Sequence, residues 1–230
     1  MKKNIIITGA AGNLGKAVTR KFLDDGYTVH AIISGKDHQQ FMEADQLLIY
    51  TANLMYEPEA ENTIHQIVKE SGHIDMALVL VGGFRMGNIS ETTLDDFEKM
   101  YRLNFVTAFN TARPVYIQME KQPEGGRMVF IGARPAMTPG IAKNMVGYSL
   151  TKSLLFRLSE IINEEGKNKG ISSIVVVPSI IDTPPNREAM PDADFTKWVT
   201  PEEIAENIAH LATPAGRKLR EAVLKVYGDS

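Results

Sequence analysis

The run Thr8-Gly9-Ala10-Ala11-Gly12-Asn13-Leu14-Gly15 decides how the chain is read. It stands between the apolar run Ile5-Ile6-Ile7 and an amphipathic stretch over residues 14–24 that closes at Gly26. Glycines at a strand-to-helix turn let the backbone bend sharply and approach an anion. The helix N-terminus behind them offers free N–H groups and partial positive charge. Gly15 then allows helix and strand to lie close together. The context predicts a dinucleotide seat at Gly9, Ala11, Asn13 and Leu14; the competing reading is a plain turn with incidental glycines.

Outward from this turn, short apolar runs alternate with longer amphipathic ones. Strands are expected at 5–8, 28–33, 46–50, 76–81, 128–131, 171–177 and 222–227, and helices at 14–24, 59–69, 148–164 and 201–211. Residues 92–120 read as one long helix or two abutting ones, with Pro114 marking a kink. Near-continuous apolar strands alternating with helices imply an α/β fold. The expected architecture is a single Rossmann-type, doubly wound parallel sheet with helices on both faces. No linker or repeat interrupts residues 1–230, so one dinucleotide-binding domain is expected. Residues 180–200, which hold Pro184, Pro185 and Pro191, form a long connection that reads as a substrate lid.

Net charge is −3, which gives no electrostatic footprint for nucleic acid or an anionic membrane. The chain has no cysteine, and its five histidines show no metal-ligand spacing, so no metal site is expected. The first apolar run is too short for a signal peptide or a membrane span, which makes a cytoplasmic location the expectation.

An acid at the end of the second strand would grip the ribose diol of NAD. Here that end reads Ile32-Ile33-Ser34-Gly35-Lys36-Asp37, with Ile33 at the acid's place. Ser34 and Lys36 are candidates for holding a 2′-phosphate, although Lys36 reads equally well as a solvated loop charge and Asp37 can still swing in. NADH or NADPH is therefore expected, with tolerance of NADPH. Further on, Tyr148 and Lys152 stand one helical turn apart. A tyrosine with an unperturbed pKa near 10 is a poor acid–base at neutral pH, and a neighbouring ammonium stabilises its phenolate. The pair predicts a proton-donating Tyr148 tuned by Lys152. The plain alternative is an aromatic–lysine packing pair.

Taken together, residues 8–15, Asn104 and Tyr148-x-x-x-Lys152 resemble the short-chain dehydrogenase/reductase family, over the whole chain. The resemblance implies a small-molecule substrate, and Asn104 as a helix-bending residue of a proton relay with Lys152. It also implies cofactor contacts at Asn53, Gly82, Gly83, Pro178 and Thr183, with Thr183 on the nicotinamide carboxamide and Lys152 on the ribose. It implies a homodimer paired through helices 92–120 and 148–164, the plain alternative being a monomer whose helices merely cover the sheet.

Departures from that family are informative: Leu80-Val81-Gly82-Gly83 stands where Asn-Asn-Ala-Gly is frequent, Asn53 where an aspartate commonly touches the adenine, and Pro178-Ser179 where Pro-Gly is usual. Where a serine is usual, this chain reads Gly132-Ala133-Arg134-Pro135, and Thr138 and Ser149 are the hydroxyls nearby. This feature, Val81-Gly82-Gly83-Phe84, and above all Asp182-Thr183-Pro184-Pro185-Asn186-Arg187 with its continuation to Phe195 resemble the dihydropteridine reductases. Asn104 departs from the animal members of that group. The narrower resemblance implies reduction of a quinonoid dihydropterin, with Phe84, Ala133, Tyr148 and Trp198 around the substrate. Two rivals stay open: a carbonyl or quinone reductase using Thr138, and a non-catalytic NAD(P)H-binding redox sensor.

Overall fold

The computed structural model describes residues 3–35, 44–221 and 223–229. Seven strands form one sheet: β1 Asn4–Thr8, β2 Thr28–Ile33, β3 Leu47–Thr51, β4 Met76–Val79, β5 Gly126–Ile131, β6 Ile171–Pro178 and β7 Val223–Val226. Their order is β3-β2-β1-β4-β5-β6-β7, and every pairing is parallel. The chain winds outward from β1 to β3, returns to β4 beside β1, and winds outward again. The sheet therefore reverses between β1 and β4, and a crevice opens at their C-terminal ends.

Side chains alternate across each strand. Ile5, Ile7, Val29, Ala31, Leu78, Val129 and Val176 face one layer, formed by α1 (Asn13–Asp24) and α7 (Pro201–His210) through Val18, Phe22, Ile204 and Ile208. Ile6, Ile32, Ala77, Phe130 and Val175 face the other. There α2 (Glu57–Ser71), α4 (Thr107–Glu120) and α5 (Val146–Gly166) cover the sheet through Ile64, Val115 and Leu155. Both faces are dry, which is why the strands read as apolar runs rather than alternating ones. His30 is the polar exception within β2. Its ring nitrogens lie 3.1 Å from Tyr50 Oη and 3.2 Å from Asn4 Oδ1, and burial pushes its pKa down to about 4, so it stays neutral.

The long middle helix differs from expectation in an instructive way. α3 (Leu94–Tyr101), set by a Thr93/Asp96 capping box, passes into a π-helical turn at Arg102–Val106 and then into α4. α4 runs unbroken through the buried Pro114, so the irregularity falls around Asn104 and not at the proline. The 180–200 connection is likewise not bare loop. It holds a short helix α6 (Pro184–Ala189) and a 3-10 turn (Phe195–Lys197). The strand expected to begin at residue 222 starts, among the described residues, at Val223.

Backbone approaches backbone closely at the first turn. Gly9 takes a left-handed φ of 64°, and a Cβ on Gly15 would stand 2.2 Å from the Gly9 carbonyl oxygen. Gly15→Ala therefore forces α1 off β1. A cost of about 2 kcal/mol lowers Tm by roughly 4–8 °C in a domain of this size. Gly140→Ala meets nothing within 4 Å and serves as the neutral control. Thermal unfolding of both variants tests this, and equal shifts would contradict it.

Candidate active site

At the sheet's switch point the turn after β1 leads into α1 with Gly12 as an extended N-cap. No side chain caps this helix, and its first turn carries no acid. Its leading N–H groups, at Asn13 and Leu14, thus face the crevice without a protein anion. The Gly9 N–H donates to Ile32 O at 2.9 Å and the Gly12 N–H to Gly9 O at 3.0 Å, which fixes the turn. A groove of about 660 Å³ runs from here across the ends of β2 and β3. Among the sequence candidates, Gly9, Ala11, Ser34, Asn53 and Gly82 line it. Among its described lining residues Glu59 is the sole carboxylate. Ile33 is buried in the core at the place where an acid would grip a ribose. Lys36 and Asp37 lie outside the described residues. An uncapped helix N-terminus, side-chain-free glycines and a long groove fit a dinucleotide: the turn suits the pyrophosphate, the groove the adenosine end.

Asn104 organises the opposite wall of the crevice. It is fully buried in the π-turn. Its Oδ1 accepts the Gly83 N–H at 2.9 Å, and its Nδ2 donates to Thr151 Oγ1 at 3.2 Å. Thr151 in turn donates to Gly147 O at 2.8 Å. One side chain thereby joins the loop after β4, the middle helix and α5. Sequence reading overlooked Thr151; its place one turn beyond Gly147 on the Tyr148 helix was the available signal. Side chains at Gly82 and Gly83 would displace their neighbours. A Cβ on Gly82 would sit 2.8 Å from Lys152 Nζ and 2.9 Å from Asn104 Oδ1, and one on Gly83 would sit 2.2 Å from Leu103 Cδ2.

Lys152 is buried, and its ammonium donates to Ile131 O at 2.9 Å. Tyr148, half-buried, meets the Phe84 ring edge-to-face at a centroid distance of 5.0 Å and an angle of 79°. Burial pushes the Tyr148 phenol up to about 12 and the Lys152 ammonium down to about 8. The expected lowering of Tyr148 by Lys152 is thus reversed here. The cause is geometric: Lys152 Nζ is turned toward Ile131 O, Gly82 and Asn104, and burial dominates both groups. The pair as it stands holds its proton firmly on the tyrosine.

No hydroxyl stands beside this phenol in the manner of the usual serine, and the backbone shows why. A Cβ on Gly132 would lie 2.7 Å from Val175 Cγ1 and 2.9 Å from Phe156 Cζ, so a side chain there requires one of these neighbours to shift. Ala133, the next residue, is extended and 4% exposed. Ser149 spends its hydroxyl on Met145 O at 2.7 Å. Thr138 is exposed in the loop that follows.

Beyond β6, Pro178 ends the strand and Thr183 is buried at the start of α6. The 180–200 segment is cinched at its base: Asp182 N–H donates to Val199 O at 2.8 Å, and Val199 N–H to Ile180 O at 3.1 Å. Arg187 reaches both carboxylate oxygens of Asp182 at 2.6 and 2.7 Å and lies 4.8 Å over the Phe195 ring. Trp198 packs on Phe195 at 4.8 Å and is 7% exposed. Phe84 is thus placed against Tyr148, whereas the Trp198 ring is taken up by packing within the segment itself.

Among the described residues no helix is long and apolar enough to cross a membrane, and no group of three or more His, Asp or Glu side chains is placed to hold a metal. A family model described as short chain dehydrogenase matches residues 3–194. The dihydropteridine reductase of Dictyostelium discoideum is 29% identical over 216 residues, covering 93% of this chain and 89% of that protein. The cyclic-di-GMP-binding biofilm dispersal mediator protein of Escherichia coli strain K12 is 27% identical over 234 residues, covering 98% of this chain and 96% of that protein. Among solved structures, ElxO with NADP bound is alike in fold, with a TM-score of 0.90 at 24% identity over 99% of this chain and 98% of that one. With the family model matching most of its length, the chain belongs to the short-chain dehydrogenase family and is an NAD(P)-dependent oxidoreductase.

Proposed function

We propose that the chain reduces a quinonoid dihydropterin or a similar conjugated ring, with Tyr148 as the proton donor. The observation that carries this reading is the pairing of Tyr148 with the Phe84 ring where Gly132 and Ala133 leave no second hydroxyl. A ketone gathers negative charge on one oxygen and profits from two donors there. A conjugated ring spreads the charge and needs one donor and a flat apolar neighbour. The 29% identity to a dihydropteridine reductase supports the same choice.

NAD(P)H, when bound, supplies the hydride. The residues that hold it are the turn at Gly9, Ala11, Asn13 and Leu14 for the pyrophosphate, and Asn53 for the adenine. Ser34 and Lys36 take a 2′-phosphate, Lys152 the nicotinamide ribose, and Gly82, Gly83, Pro178 and Thr183 the nicotinamide end. Tyr148, with its pKa pushed to about 12, keeps its proton through the neutral range and releases it only to a group that is gaining negative charge. Lys152 carries its ammonium below about pH 8 and loses it above. Asn104 keeps Gly83 and Thr151 in place around this pair. Residues 180–200 serve as a lid, with Trp198 in its packing, and exclude water from the site. The whole of residues 1–230 acts as one domain, and the site takes NADPH as well as NADH because the end of β2 carries no acid among the described residues.

The chain works as a homodimer. Leu150, Ile161 and Phe109, on α5 and α4, are 52%, 47% and 43% exposed. Phe97, Tyr101, Phe105 and Phe109 stack in succession along the middle helix at centroid distances of 5.6–6.4 Å. Such an apolar face is what an isologous helix pair covers.

Four outcomes are expected. Steady-state oxidation of NADH and NADPH with quinonoid dihydropterin, alongside a ketone panel, gives turnover with the pterin, at kcat/KM values for the two cofactors within about tenfold. In the same assay Tyr148→Phe loses about 10²–10⁴-fold in kcat with cofactor binding retained. Turnover of ketones alone, crippled by Thr138→Ala, would favour the carbonyl reductase, and tight cofactor binding with no turnover the sensor. The pH profile of kcat/KM falls as pH rises through about 8, where Lys152 loses its charge, and shows no tyrosine limb below it; a flat profile to pH 10 would remove Lys152 from the mechanism. Sedimentation gives a dimer that Phe109→Glu with Ile161→Glu converts to monomer, whereas a native monomer would end the pairing proposal.

A further inference from the structure

The end of the sheet opposite the glycine turn holds a recess of about 810 Å³. It opens where β4, β5 and β6 begin, between Asp75, Arg127 and Ser172. Five cations line it, Lys3, Lys121, Arg127, Arg217 and Arg220, against two carboxylates, Asp75 and Glu124. The recess is thus strongly positive on a chain whose net charge is −3.

Arg127 is the deepest of these charges, at 5% exposure within β5. Its Nε donates to Ser172 Oγ at 3.0 Å. Its two terminal nitrogens donate to the carbonyls of Leu211, Gly216, Arg217 and Leu219 at 2.7–3.2 Å. Every acceptor is neutral, and among the described residues no carboxylate pairs with this guanidinium. A buried charge without a counter-ion is costly. Burial, then Arg217 and Arg220, push its pKa down to about 10, so its neighbours add to the excess. Arg217 touches Asp75 and Glu124 only loosely, at 3.6 and 3.8 Å. Arg220 donates to Ile171 O, and Lys3 and Lys121 have no ion-pair partner among the described residues. The floor is bare backbone at Gly72, Gly125, Gly126 and Gly170, so the recess keeps its volume. Gly125 and Gly170 have positive φ, and a Cβ on Gly125 would lie 2.4 Å from the Gly170 carbonyl carbon.

We propose that this recess is a second ligand site, one that takes a phosphate-bearing organic anion of nucleotide size at the end of the sheet opposite the redox site. Its volume falls in the range of small-molecule sites, roughly 300–1,000 Å³. Arg127 has all five N–H donors bonded within the protein and contributes charge alone, whereas Lys3, Lys121, Arg217 and Arg220, from separate segments, suit a polyphosphate, which neutralises the excess charge and accepts charge-assisted hydrogen bonds. Pro123 and the exposed faces of Gly72 and Gly170 leave a side-chain-poor wall against which the organic part can lie.

Calorimetric titration of ADP and of inorganic tripolyphosphate into the cofactor-free protein tests the site. ADP binds twice per chain, once at the glycine turn and once here. In K121E/R220E the second event weakens by about 100-fold, one tenfold loss for each charge-assisted contact removed, and NADH-supported turnover stays unchanged. The milder K121Q/R220Q shifts it in the same direction and guards against misfolding of the first variant. Tripolyphosphate binds more weakly than ADP, since it lacks the organic part. A single ADP per chain overturns the proposal. So does a second event indifferent to both double variants, or tripolyphosphate that binds as tightly as ADP and is lost by physiological salt, which marks a bare electrostatic patch.

Discussion

The buried carboxamide of Asn104 holds the crevice together. Its oxygen takes the Gly83 N–H and its nitrogen gives to Thr151, so the loop after β4 and the helix bearing Tyr148 and Lys152 are referred to one point. That contact fixes what can stand nearby. Gly82 is side-chain-free because Lys152 Nζ and Asn104 Oδ1 already fill the space. Leaving either partner of such a bond unsatisfied in a dry interior costs about 1–3 kcal/mol. An α-helix with regular bonding would carry residue 104 past at a different angle. The π-turn at Arg102–Val106 inserts the extra rotation that aims it at the crevice. Local helical irregularity and positioning of the tyrosine are therefore one feature.

The sheet was legible because its strands are buried on both faces, and burial on both faces writes itself as runs such as 5–7 and 171–177. The glycine turn was legible because close backbone approach has no other residue to use: Gly15 lies against the Gly9 carbonyl. The site of helix irregularity was not. Proline is a strong signal in a chain, and Pro114 drew the kink to itself. In the fold it sits within an unbroken α4, and a π-turn leaves no compositional trace at Arg102–Val106. The helix inside 180–200 was masked in the same way, by prolines that begin α6 rather than prevent it.

Side-chain electrostatics were the least legible part. The spacing of Tyr148 and Lys152 places them on one helix face but does not say where the ammonium points. It points to Ile131 O, and burial then acts on the two groups in opposite directions, raising the phenol and lowering the ammonium. For a reductase this arrangement has a use. A phenol that keeps its proton is an acid in waiting, and a lysine poised near 8 changes charge within the working range of an assay.

The missing serine is a packing consequence as much as a chemical choice. Residue 132 lies where β5 passes under α5, and its backbone is pressed between Val175 and Phe156. A hydroxyl there requires Val175 or Phe156 to shift, which disturbs the packing beneath α5. At residue 133 a serine hydroxyl would enter a position that is 4% exposed. A buried hydroxyl needs a partner. A substrate oxygen is the natural one for a ketone reductase, and a site that never presents such an oxygen gains nothing from the group. Gly132 is thus accounted for by the packing of β5 against α5, and with Ala133 beside it this segment places no hydroxyl next to Tyr148.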